Sequence, residues 1–305
     1  MPLVIDNRDD ETCTLPEAIE ALGEIGFDPR DEGNRDEAAM WLRRLTNNRS
    51  FLSSLLVDQL AGRLADHPVH TIDSGYGPQA IVLSPLRGNA RGSMFLRANI
   101  WPSERDPCFK ASGAASFVYG LPHDHNFSFL TSGYHGPGYR IDYYEYEYDK
   151  VVGHPGEPVG LTLVERSALH EGKLMLYRAH RDVHAQLPPE ALSVSLNVIH
   201  VDPAQMWFDQ YGFDLERAEV TRVLSPNATE AFLRVAVAGQ SAQALDYAQW
   251  VGAHHPSERL RLASFEARAG LLDEAARDAL WREAERSDSR LVAAFATRRR
   301  KAIEP

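Results

Sequence analysis

Gly120-Leu-Pro-His123-Asp-His125-Asn-Phe-Ser-Phe129 is the stretch on which the reading of this chain turns. His123 and His125 stand two residues apart. On a strand, alternate side chains share a face, so both imidazoles project together and can hold two neighbouring positions of a metal ion. A third donor has to come from elsewhere. His184, in Arg181-Asp-Val-His184-Ala-Gln-Leu-Pro-Pro, is followed by a strand-like run and is the leading choice. His180 lies four residues earlier, in a stretch that reads as strand and turn. It stays open as an alternative third ligand or as a neighbouring base.

Three neutral imidazoles suit a borderline divalent ion: iron, zinc, nickel or copper. Such a set leaves coordination positions open. At iron(II) those positions can take dioxygen and a bidentate substrate; at zinc they can activate water.

Outward from the motif, short apolar runs alternate with Gly, Pro and Asp turns. Ala80–Leu83 and Ser93–Trp101 precede it, Pro102 ends the second, and Ser116–Tyr119 leads into the histidines. Tyr139–Tyr148 alternates, with Tyr144, Tyr146 and Tyr148 on one face and Tyr143, Glu145 and Glu147 on the other. Val159–Glu165, Lys173–Tyr177 and Leu192–Ile199 follow. This pattern predicts an antiparallel sandwich or barrel.

Helical signals flank it on both sides. Residues 1–13 read as frayed. Thr14-Leu-Pro16-Glu17 starts a helix, with a hydroxyl N-cap, proline in the first turn and glutamate three residues on. Two more helices are predicted, over about Asp36–Leu45 and Ser50–Leu64. After Asp214 the helical spacing returns over Thr229–Ala238, Ala242–Ala253, Ser257–Ala269, Asp273–Ser287 and Leu291–Arg300. The expected fold is mixed α and β, a central antiparallel β-barrel flanked by helical segments. The expected domains are 1–66 (helical), 67–214 (barrel with the metal site) and 215–305 (helical bundle).

The 305-residue chain carries a formal net charge of −11, which argues against nucleic acid and against an anionic membrane surface as partners. The basic run Arg298–Lys301 reads as a solvated helix end that complements the helix dipole. Cys13 and Cys108 offer neither a disulfide framework nor a metal-type spacing. The acidic start lacks an apolar signal core and no run approaches a membrane span, so a cytoplasmic protein is expected.

Trp101-Pro, a loop, and then Leu121-Pro-His123-Asp-His125-Asn-Phe-Ser-Phe resembles the iron-binding segment of the cysteine dioxygenase-like branch of the cupin superfamily. His184 and the run Ala191–Ile199 fall where that branch carries its third histidine and following strand. The resemblance spans about residues 80–200. It implies a jelly-roll barrel, non-haem iron(II) held by His123, His125 and His184, and dioxygen as co-substrate. The departures are specific. Phe129 stands where cupins carry a glutamate. Leu130 lies near the place of a cross-linking cysteine. The Ser-x-His-x-Tyr trio reads Ser195, Asn197, Ile199. A substrate other than cysteine is therefore expected.

Arg87, Arg91 and Arg97 lie on or before the early strands, and Arg97 shares a face with Phe95, Asn99 and Trp101. If that face is interior, Arg97 can clamp a substrate carboxylate. Arg140 lies just beyond the motif turn. Glu145 or Glu147 is open as a carboxylate ligand. The leading expectation is a mononuclear iron(II) cupin oxygenase acting on a small molecule or a peptide or carrier-bound substrate. Alternatives are an oxygen-independent zinc, nickel or manganese isomerase, lyase or hydrolase, and a non-enzymatic ligand-sensing or scaffolding barrel. The resemblance to cupins, whose barrels often pair through sheet edges, leaves a homodimer open, with no interface identified in the sequence.

Overall fold

Nine residues from Ser93 to Trp101 alternate between the two faces of a sheet, and that alternation builds the centre of the fold. In this computed structural model, residues 3–61, 79–90 and 92–301 are described. The expected boundary at 66/67, the end of the third predicted helix and Arg91 lie outside the described residues.

In chain order the elements are β1 (Leu3–Val4), α1 (Leu15–Ile25), α2 (Glu32–Asn47), α3 (Phe51–Leu60), β2 (Ala80–Val82), β3 (Arg87–Gly88), β4 (Ser93–Trp101) and α4 (Pro107–Ser112). Then come β5 (Phe129–His135), β6 (Arg140–Glu145), β7 (Thr162–Ala168), β8 (Leu174–Tyr177), β9 (Asp182–Leu187) and β10 (Ser193–Val201). The chain ends with β11 (Tyr211–Asp214), β12 (Glu219–Val223), α5 (Ala228–Ala238), α6 (Ala242–His254), α7 (Glu258–Ala269), α8 (Glu274–Ala284) and α9 (Arg290–Lys301).

The chain divides into two units. The first comprises residues 1–148, 160–205 and 212–218; the second comprises 149–159, 206–211 and 219–305. In the first, a seven-stranded antiparallel sheet runs β1-β8-β5-β10-β4-β2, with β3 also on β4, and a three-stranded sheet runs β7-β6-β9. Among the described residues these ladders form separate antiparallel sheets, not a closed ring. The architecture is mixed α and β.

The alternation of β4 sets the two faces of the larger sheet. Met94, Leu96 and Ala98 point outward with Leu130, Leu174, Leu176, Leu196 and Val198. They pack against Ala18, Leu22 and Ile25 of α1 and Ala38, Ala39, Leu42 and Leu45 of α2. Trp101 points inward. It joins Phe129, Met175, Tyr177 and Ile199 of the same sheet and Ile141 and Tyr143 of the smaller one in a second core. The inner faces of both sheets thus share one interior.

Several expectations need correction. Residues 3–4 are not frayed: Leu3 and Val4 pair with Leu176 and Met175 on the edge of β8. Helix α2 starts at Glu32, four residues before the apolar periodicity, because Asp31 caps it by accepting the Asn34 N–H. Ser116–Tyr119 is the end of a 3₁₀ turn with Val118 in the left-handed region, not a strand. The tyrosine-rich strand ends at Glu145, after a register shift between Tyr143 and Tyr144.

In the second unit, α5 to α8 are each capped by a side chain, from Asn227, Ser241, Ser257 and Asp273. Phe265, Leu280, Trp281, Val292 and Ala296 form one core there, and Leu233, Val237, Ala248, Val251 and Leu260 another.

Candidate metal centre

The site is assembled by one backbone exchange. His123 N–H donates to the His184 carbonyl at 3.0 Å, and His184 N–H donates to the His123 carbonyl at 2.9 Å. This is a hydrogen-bonded antiparallel pair, whose side chains stand on the same face. His184 also lies opposite Tyr143 of β6, and Gln186 opposite Ile141. Tyr143 and Ile141 belong to the inner core, so His184, Gln186 and His123 face the interior. His123 pairs on its other side with Gly212, so the histidine segment extends the smaller sheet beyond β9. The pair itself is not in a regular strand. His123 is held by single bridges, His125 lies past them, and β5 begins only at Phe129.

The structure brings His123, His125 and His184 together, with one ligand nitrogen from each, all within 4.8 Å of one another. His123 Nδ1 lies 2.8 Å from the Leu121 carbonyl. That carbonyl can only accept, so Nδ1 carries the proton and the Nε2 lone pair is free to bind a cation. The Nδ1 atoms of His125 and His184 are buried and make no hydrogen bond.

All three rings are held below the ordinary histidine range. Burial is the main cause in each. The Leu121 carbonyl opposes it at His123. At His125 it is reinforced by His123, His184 and the Arg97 charge, and at His184 by His123. The rings are therefore neutral near pH 7, the state in which imidazole binds metals. Three converging, uncharged ring nitrogens fit a divalent transition-metal ion.

Aromatic rings wall the trio. Phe127 and Phe129 lie 4.7 and 5.1 Å from His125, and the Tyr177 ring meets His184 edge-on at 4.8 Å. Phe129 stacks on Tyr177 at 4.5 Å. The Tyr177 and Tyr143 hydroxyls are 2.6 Å apart. Burial pushes both phenols up, so they stay protonated. Trp101 Nε1 donates to Ser195 Oγ at 3.0 Å.

The other anticipated residues fall as follows. Arg97 is on the inner face by the alternation of β4, opposite Asn197, and its charge acts on His125 and Tyr139. His180 is outside the cluster. It occupies a turn at φ 58°, its N–H donates to the His125 carbonyl at 2.9 Å, and its ring packs 4.3 Å from Tyr148. Glu145 pairs with Arg178 at 2.8 Å and Arg181 at 3.2 Å, and Glu147 is exposed. Neither glutamate is in the histidine group.

Sequence reasoning missed Asp124 and Gln186. Asp124 is fully buried and accepts a short hydrogen bond from the Tyr146 hydroxyl. Gln186 sits two residues after His184 on β9, and its amide nitrogen is 3.1 Å from His184 Nε2. The period of two that joins His123 to His125 also joins His184 to Gln186, and that was the available signal.

A crystal structure of a prolyl 4-hydroxylase from Phytophthora capsici is similar to this chain over 84% of its length and 75% of that chain, at 11% identity and a TM-score of 0.25. At that score the likeness carries no statement about fold or chemistry. No protein-family model and no curated protein matches the chain.

Proposed function

We propose that this chain is a mononuclear non-haem iron(II) oxygenase of the cupin type, acting with dioxygen on a small molecule or on a peptide or carrier-bound substrate. The carrying observation is the convergence of three neutral imidazoles, two buried and His125 partly so, with one ligand nitrogen from each within 4.8 Å of the others, beside a core shared by two antiparallel sheets. Two sheets around one interior suit the jelly-roll of that superfamily. His123, His125 and His184 would hold the metal. When bound, iron(II) supplies the one-electron chemistry that lets dioxygen react with a closed-shell organic substrate.

The surroundings favour this over water activation. The rings next to the trio are phenyl and phenol groups, which line it with largely apolar surface. The neighbouring carboxylates are engaged elsewhere: Asp124 with Tyr146, Glu145 with Arg178 and Arg181. Arg97 orients an acidic group of the substrate from the inner face of β4. His180 acts through its backbone, which fixes the His125 carbonyl.

The test is elemental analysis after anaerobic reconstitution, for the wild type and for His123→Ala, His125→Ala and His184→Ala. Near-stoichiometric iron that all three substitutions remove, together with iron-dependent oxygen uptake on candidate substrates, is the expected result. No iron uptake by the wild type overturns the reading. Preferential zinc or nickel with oxygen-independent turnover replaces it with the hydrolase, lyase or isomerase alternative.

A further inference from the structure

We infer that Gln186 is a fourth protein donor of this centre, binding a divalent transition-metal ion through its side-chain carbonyl oxygen. The inference rests on the three-histidine metal site proposed above and adds a residue to it.

Three observations lead there. Gln186 is 7% exposed and lies on the inner face of β9, two residues from His184 and opposite Ile141. Its amide nitrogen is 3.1 Å from His184 Nε2, so the amide head is at the site. Its carbonyl oxygen is buried and makes no hydrogen bond. A buried amide oxygen without a donor is costly, by about 1–3 kcal/mol, and calls for a partner.

The hydrogen bond that Gln186 does make is informative. Here the amide N–H donates to the His184 Nε2 lone pair, the pair a metal would take. The two ends of a primary amide are nearly isosteric. A half-turn about the last side-chain torsion exchanges nitrogen for oxygen with no backbone movement. A cation that takes the His184 lone pair displaces the N–H, and the carbonyl oxygen then lies on the side of the ion. Amide oxygen is an acceptable donor for first-row divalent ions alongside imidazole. Gln186 would add its oxygen from β9, two residues after His184, and with no charge. Four neutral donors leave the full charge of the ion uncompensated, which favours an anionic substrate group in the remaining positions.

The experiment is a chelator-competition titration with cobalt(II) on full-length wild type, Gln186→Met and Gln186→Glu, plus a crystal structure of the cobalt-loaded wild type. Methionine keeps length and apolar volume but removes the oxygen; glutamate supplies a charged one. Affinity should fall at least about tenfold in Q186M and rise above wild type in Q186E. The loaded structure should place Gln186 Oε1 about 2.0–2.3 Å from the ion. Wild-type affinity in Q186M overturns the inference. So does a loaded structure with the amide still directed at His184 and away from the ion, which would make Gln186 a positioning residue. In both cases His184→Ala still abolishes binding and the three-histidine site stands. A wild type that binds no cobalt removes both together.

Discussion

Asp124 lies between the two clustered histidines and points away from them. Its side chain is fully buried and receives the Tyr146 hydroxyl, while the Tyr146 ring packs 5.1 Å from Phe213. This contact holds the far side of the segment whose near side presents His123 and His125. Tyr146→Phe keeps the ring and removes the donor. It should lower unfolding stability by about 1–3 kcal/mol, read from urea midpoints, and weaken metal binding with it. A second residue-scale prediction concerns His200 on β10. It is 7% exposed, with its ring edge-on to Phe27 at 6.0 Å. Burial holds it below the ordinary histidine range, aided by Arg30 and opposed by Asp28 and Asp202. The folded value lies below the unfolded one, so the unfolded chain binds the proton more readily. The contribution of the neutral ring is therefore present above the unfolded value of about 6.5 and is lost as pH falls through the folded one. Between pH 7.5 and 5.5 the wild-type urea midpoint should drop by more than that of His200→Gln; parallel drops would show that this ring does not titrate with unfolding.

At the scale of elements, the contrast is between a cap and a turn. Thr14 caps α1 reciprocally: its hydroxyl accepts the Glu17 N–H, and Glu17 Oε2 accepts the Thr14 N–H at 2.8 Å. Thr14 is exposed, so Thr14→Ala removes a cap and little else, and should cost about 1 kcal/mol. Gly138 joins β5 to β6 at φ 79°, and a Cβ there would lie 2.0 Å from the Leu169 carbonyl. Gly138→Ala meets both a left-handed backbone and a rigid neighbour, and should cost at least about 2 kcal/mol. Equal urea midpoints for the two variants would contradict this ordering. The same elements explain what was legible beforehand. Helix α1 could be read because cap, proline and apolar spacing all lie within a dozen residues. Strand β8 could be read because both its faces are apolar or aromatic, and β4 and β10 because apolar residues recur at every second position. Strand β1 could not, since an exposed Leu-Val pair looks like any frayed end until β8 supplies its partners. Strand β12 was lost inside a region read as helical, and α4 inside a loop. At the site, the His123–His125 spacing was visible locally, and the later His184 was a natural partner. The carbonyl of Leu121, the phenol of Tyr177 and the amide of Gln186 became visible only when register placed them beside the rings.

For the whole molecule, the question is what a metal does to stability. Three neutral imidazoles converge, an arrangement that offers one cation a ring nitrogen from each. The unfolded chain cannot preserve it: His184 is some sixty residues from the pair, and only the ladders of the first unit hold it opposite His123. An ion that binds the folded state alone stabilises by RT ln(1 + [L]/Kd), about 2.7 kcal/mol at a free concentration one hundred times Kd. In differential scanning calorimetry, iron(II) under anaerobic conditions, or cobalt(II), should raise the unfolding temperature of the wild type by several degrees, and chelator should reverse it. His184→Ala should melt at one temperature with and without metal, because two histidines and an amide no longer enclose the ion. Tyr146→Phe should keep a positive but smaller shift, since its donors are intact and only their support is loosened. A metal-induced shift of wild-type size in His184→Ala would place the ion elsewhere in the chain, and the convergent histidines would then be core residues that pack against one another without ligating anything.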